Sequence, residues 1–151
     1  QRFMTEEYRK FPILGGAKRA VRQVVTLLSA GRPVITHCFA GKDRTGFTVA
    51  TVLEAAGVDR DAVMADFLRS NEAIGPLRER ILDSIRRRTE TEETVTFAEA
   101  RLTDEVLGVR EEYLFTAHRT IETEYGGLVG YLESAGVTAE DLARLRAVLL
   151  G

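Results

Sequence analysis

The sequence predicts an α/β domain dominated by helices, and three observations predict it. A short β-branched run, "PVITHC" from Pro33 to Cys38, has the composition of a buried strand. It leads through a polar turn into "TGFTVATVLEAAG", which is apolar nearly all round and closed by Gly57, as expected of a helix at the centre of a domain. Almost everything else is helical in period, so the strand has no partner in view. A lone buried strand cannot satisfy its own N–H and C=O groups. Residues 1–151 are therefore read as the carboxy-terminal part of a single domain, with the other strands expected to precede Gln1.

The elements follow in order. Ala17, Ala20, Val21, Val24, Leu27 and Leu28 share one helical face opposite Lys18, Arg19, Arg22 and Gln23, and Gly31 stands where that helix stops. After the strand, turn and central helix, Asp59 can cap a helix through about Ser70. Pro76 suits the first turn of another, which reaches the triple arginine Arg86 to Arg88. The Thr/Glu run from Thr89 to Thr94 reads as a solvated connection or a frayed helix end, and "VTFAEARL" resumes helix. Apolar positions from Val109 to Tyr125 make a long amphipathic helix ended by "GG". Two short helices close the chain, the last behind a capping-box pair, Thr138 and Asp141.

Composition excludes several functions. With 21 basic and 23 acidic residues the formal net charge is −2, so there is no electrostatic footprint for nucleic acid or an anionic membrane. Any anion site must be local. The single cysteine cannot form an internal disulfide, and no apolar run approaches the ~18 residues of a membrane span. The first residues carry no secretory signal pattern, and the chain reads as soluble.

The chemistry gathers at "HCFAGKDRTG", His37 to Gly46. Cys38 ends the strand and Arg44 opens the helix, so Phe39, Ala40, Gly41, Lys42 and Asp43 must curl over the helix's amino end. The free N–H groups of such a loop and the positive end of the helix dipole face its hollow, which suits a tetrahedral anion. Arg44 can grip two oxygens at once, and Lys42 adds a point charge. The same field favours thiolate, lowering a cysteine from ~8.5 into the range ~3.5–7.5. Cys38 is thus read as a nucleophile for phosphorus, giving a phosphocysteine that water hydrolyses, with no metal or cofactor required. Gly41 permits a turn geometry closed to other residues, and Thr45 can place its hydroxyl near the sulfur; each is also common in turns and helix starts. His37 either orders the loop by hydrogen bonding or is a satisfied core histidine. The nucleotide-binding pattern GxxxxGK[ST] is not met, because aspartate follows Lys42.

"HCFAGKDRTG" resembles the His-Cys-x5-Arg-Thr/Ser-Gly signature of the cysteine-dependent protein tyrosine phosphatases. With "VLEAAGVDRDAVMADFLRSN" and "YGGLVGYLESAGVTAEDLARLRAVLL", the chain is similar to bacterial phosphatases of the mycobacterial secreted tyrosine phosphatase B type. The resemblance runs from "FMTEEYRKFP" onward. It implies a phosphatase fold with a central, mostly parallel sheet flanked by helices, and a phosphate loop at 37–46. It implies hydrolysis of phosphotyrosine, extending to phosphoserine/threonine and phosphoinositides, so the expected partners are phosphorylated proteins or phosphoinositides. Lys42 matches a lysine of lipid phosphatase loops. Export to act on host signalling is implied too; without the resemblance the bacterial cytoplasm is the default.

The resemblance further implies a helical lid, mapped to about 76–107, with Leu77, Ile81, Ile85 and Phe97 as its inner face; the alternative is ordinary packing helices. Helices at about 109–150 complete the domain. The triple arginine either steers anionic substrates or is a solvated helix end. One departure stands out: no aspartate precedes Asp43 to protonate the leaving oxygen, help that is typically worth ~10²–10⁴-fold. The acid is expected on a segment before Gln1, with Asp43 a loop residue important for activity, and Glu6 and Glu7 weaker candidates. The competing reading is a phosphate-binding module or pseudophosphatase that lacks its general acid.

Overall fold

The helical periodicities become helices close to where the sequence places them. The computed structural model of the chain describes residues 2–88 and 91–151, so Thr89 and Glu90, which open the Thr/Glu run, lie outside the described residues. The helices are α1 (Arg2–Lys10), α2 (Gly15–Ser29), α3 (Arg44–Ala56), α4 (Arg60–Leu68), α5 (Ile74–Arg86), α6 (Glu92–Arg101), α7 (Asp104–Leu107), α8 (Glu111–Tyr125), α9 (Leu128–Ser134) and α10 (Ala139–Leu150). Single 3-10 turns occupy Phe11–Ile13 and Arg69–Ala73. The end signals act as read. Asp59 accepts from the Asp61 N–H at 2.9 Å, and Thr138 and Asp141 form the reciprocal capping box. Gly57 and Gly126 close α3 and α8 in the left-handed conformation.

The α/β expectation is overturned. Among the described residues there is no strand and no central sheet, parallel or otherwise. Pro33 to Cys38 carries neither helix nor ladder, and Ile35, expected inside, is 94% exposed. β-branched composition favours an extended backbone but does not create a strand, which exists only through hydrogen bonds to a neighbour. No second extended segment among the described residues offers that neighbour. α1 is the opposite case, a helix for which no periodicity was singled out.

α3 is the centre of the assembly, packed against α2, α4 and α10, while α1 lies along α8 and α10 along α2. Its buried threonines are accommodated by bonding back along the helix: Thr48 Oγ1 donates to the Arg44 carbonyl at 2.9 Å and Thr51 Oγ1 to that of Phe47 at 2.8 Å. Aromatic rings do much of the joining. Phe67, Tyr8, Phe11, Phe47 and Tyr131 touch in succession with centroids 4.8–6.2 Å apart, and Tyr8 stacks on Tyr113 at 5.3 Å. Each such buried ring contributes about 1.5–3 kcal/mol through burial. Because Phe47 lies one turn beyond Arg44, this cluster fixes the amino end of α3 in place.

From this body α5, α6 and α7 extend as a separate arm. Arg78 Nε donates to the Leu102 carbonyl at 2.9 Å and its guanidinium pairs with Asp104, while Arg86 reaches Glu99 at 3.1 Å. Leu82 is the buried residue of α5; Leu77, Ile81 and Ile85 are half-buried, and Phe97 is exposed beneath the Arg101 guanidinium.

Candidate active site

Residues 39–43 bend tightly between the extended segment and α3. Gly41 makes the bend possible at φ +71°, where a side chain would be strained although nothing lies within 4 Å of its would-be Cβ. Gly46 is glycine for another reason. In the first turn of α3, a Cβ there would stand 2.9 Å from Phe67 Cε2, so α4 approaches only because that carbon is missing.

The loop surrounds the sulfur of Cys38, which is half-buried. Burial pushes the thiol up, but the Thr45 hydroxyl and the N–H groups of Thr45, Gly41 and Ala40 outweigh it and bring the pKa down to about 7. Thr45 Oγ1 is buried and meets hydrogen-bond geometry with no group among the described residues; the sulfur is the atom it acts on. Asp43 holds the N-cap position of α3, yet its carboxylate does not cap the helix. The first-turn donors of α3 are therefore left toward the hollow. Arg44 stands exposed beside it and makes no ion pair with any described residue.

Lys42 and Asp43 turn the other way. Lys42 is 7% exposed, with Nζ 2.7 Å from Asp43 Oδ2 and donating to the Gly108 carbonyl at 3.2 Å. Asp43 Oδ1 accepts from the Tyr8 hydroxyl at 3.0 Å. Burial first and Asp43 second push the Tyr8 pKa well above the ordinary tyrosine range, so it remains a protonated donor. Of the six side chains read as catalytic, the structure brings His37, Cys38, Arg44 and Thr45 to one cleft, while Lys42 faces the cleft beside α5 and Asp43 turns toward Tyr8. His37 is exposed and makes no hydrogen bond with a described residue. Phe39, 88% exposed, stands at the rim, and its neighbours Ala40 and Gly41 direct N–H groups at the sulfur.

Two clefts adjoin the loop. One of about 530 Å³ runs from Cys38, Arg44 and Thr45 to Phe11, Phe47 and Ala20. The other, about 240 Å³, lies between Ala40 to Lys42 and Pro76, Leu77 and Arg80 of α5. Neither Tyr8 nor Gly108 was singled out from the sequence. Tyr8 offers only the weak signal of a Met4, Tyr8, Phe11 apolar face, and Gly108 none, because what matters there is a backbone carbonyl.

A model of the tyrosine phosphatase family matches residues 1–151. The chain is 60% identical over 153 residues to the triple specificity protein phosphatase PtpB of Mycobacterium tuberculosis, covering 99% of this chain and 55% of that protein. It is 32% identical over 144 residues to a putative tyrosine-protein phosphatase of Cupriavidus necator, covering 95% of this chain and 48% of the other. A tyrosine-protein phosphatase of Nostoc commune is 26% identical over 143 residues, 90% of this chain and 46% of that one. The chain thus spans about half the length of the curated relatives it matches.

Proposed function

Starting from the fact that this chain belongs to the tyrosine phosphatase family, we propose that it carries the nucleophile and phosphate cradle of a thiol-dependent phosphatase acting on phosphotyrosine. Extension to phosphoserine/threonine and phosphoinositides is part of the same proposal, in keeping with the triple specificity in the name of its M. tuberculosis relative. One observation carries the reading: the donors of the loop converge on Cys38 and hold its thiol near neutrality.

The chemistry follows from the placement. The thiolate of Cys38 attacks phosphorus in line with the ester oxygen, the S–P bond forms as the P–O bond breaks, and the leaving oxygen departs and takes a proton from solvent, which regains one when water hydrolyses the phosphocysteine. The N–H groups of the loop and Arg44 hold the three equatorial oxygens as their charge rearranges. Water then attacks phosphorus, the S–P bond breaks, and phosphate and thiolate are released. Thr45 helps that departure by donating to the sulfur as it regains charge. Asp43 is not the proton donor in this arrangement, since its two oxygens are engaged by Tyr8 and Lys42.

Cys38→Ser is expected to abolish hydrolysis of a phosphotyrosine peptide while inorganic phosphate still binds. Unchanged turnover in that variant would end the thiolate mechanism. Phosphate binding with no turnover by the unaltered protein would instead favour a phosphate-binding module.

A further inference from the structure

The loop has a second side, away from the cleft at Cys38. Lys42 Nζ donates to the carbonyl of Gly108, the first of three residues between α7 and α8, where the α5–α7 arm rejoins the body. The next residue, Val109, is held twice by one side chain: its N–H donates to Asn71 Oδ1 at 2.8 Å, and Asn71 Nδ2 donates to its carbonyl at 3.1 Å. Asn71 lies just before α5, where the arm begins. The two ends of the arm are thus stapled together, and the staple is tied to the phosphate loop. Gly108 admits no substitute at this crossing, because a Cβ would stand 2.8 Å from Asn71 Oδ1 and 2.8 Å from the Asp104 carbonyl.

On the loop's other flank Tyr8 is fully buried, stacked on Tyr113 of α8, with its hydroxyl on Asp43. Contiguous contacts therefore run from Tyr8 through Asp43 and Lys42 to Gly108, Val109 and Asn71. Most of these are hydrogen bonds involving a charged or fully buried group, the kind that fixes geometry most firmly. Neither Tyr8 nor Asn71 lines the cleft at Cys38, although the Tyr8 hydroxyl is near enough to the sulfur to feel its charge.

We propose that Tyr8 and Asn71 are positioning residues for the phosphate loop, acting through one continuous path that makes the loop and the base of the α5–α7 arm a single mechanical unit. The inference rests on the reading of Cys38 as the nucleophile. The physical reason is that Ala40, Gly41 and Thr45 reach the sulfur only while residues 39–43 keep their bend, and Lys42 and Asp43 are the side chains that brace it. Releasing either end of the path loosens the brace, leaving the upward push of burial on Cys38 less opposed. The groups that face Tyr8 are Asp43, Tyr113 and Cys38, so its hydroxyl is the donor available to Asp43 from that side.

The test uses Tyr8→Phe, which keeps the stacked ring, and Asn71→Ala, which leaves a smaller side chain at the staple. Each variant and the double variant are made in the intact protein. For each single variant kcat is expected to fall about tenfold, the kinetic equivalent of one firm hydrogen bond, with KM within about twofold. The pH midpoint for alkylation of Cys38 by iodoacetate is expected to rise above that of the unaltered protein. Because the ends share one path, the double variant is expected to lose little beyond the larger single loss. Unchanged kcat and midpoint in the single variants, or losses that multiply in the double variant, would overturn the proposal. Alkylation needs no turnover, so an absence of phosphatase activity would sink the functional reading while leaving the midpoints to judge the positioning path.

Discussion

At its amino end α3 presents Arg44, exposed and without an ion pair among the described residues, beside a sulfur that draws on the donors of the loop. At its carboxyl end Glu54 is buried, with His118 Nε2 2.6 Å from Oε1 and Arg60 Nε 3.6 Å from Oε2, and Arg60 reaches on to Glu122 at 3.4 Å. The backbone differs in the same sense. Gly57 N–H bonds the Glu54 carbonyl at 2.9 Å and Val58 N–H that of Leu53 at 3.0 Å, closing the helix. The amino end has no such closure by its N-cap carboxylate. One helix therefore carries an end where buried Glu54 faces His118 and Arg60, and an end where a thiol draws on backbone and hydroxyl donors beside a cation with no ion pair among the described residues.

The comparison is broken most severely at Arg44. Arg44→Lys keeps the charge but loses the planar two-point grip, and kcat/KM for a phosphotyrosine substrate is expected to fall about 10²–10³-fold in steady-state kinetics. Retained activity would show that the amino end needs only a positive charge. Gly46→Ala probes the same end through packing. The added Cβ must displace the Phe67 ring, and urea denaturation is expected to show a loss of about 1–3 kcal/mol. At the other end, Glu54→Gln removes the charge that His118 and Arg60 share, for an expected cost of about 1–2 kcal/mol. The alkylation profile of Cys38 should not move in that variant. A shifted profile would mean that the two ends of α3 are not separate in function.

The amino end was legible in the sequence because its elements are adjacent in the chain. Cysteine, five loop residues, arginine and helix start are contiguous within "HCFAGKDRTG", and the Ala40, Gly41 and Thr45 donors act on Cys38. The charges inside that stretch were less legible. Lys42 read as a charge for the anion and Asp43 as a loop residue important for activity, whereas their direction is set by Tyr8, 35 positions from Asp43, and by Gly108, 66 from Lys42. The buried Glu54 and His118 pair joins α3 to α8 and has no local signature at all. The strand failed for a related reason, since β-branched composition describes a preference and pairing describes a neighbour. Helix ends were read well because caps act within a few residues.

The most direct measurement is the pH dependence of Cys38 alkylation by iodoacetate, with and without inorganic phosphate. A thiol held at about 7 is reactive above that value and loses reactivity as the pH falls through it. The expected result is a midpoint near 7 and protection by phosphate, which occupies the same donors. A midpoint near the ordinary ~8.5 of a free cysteine, with no protection, would show that the loop neither ionises the sulfur nor holds an anion over it.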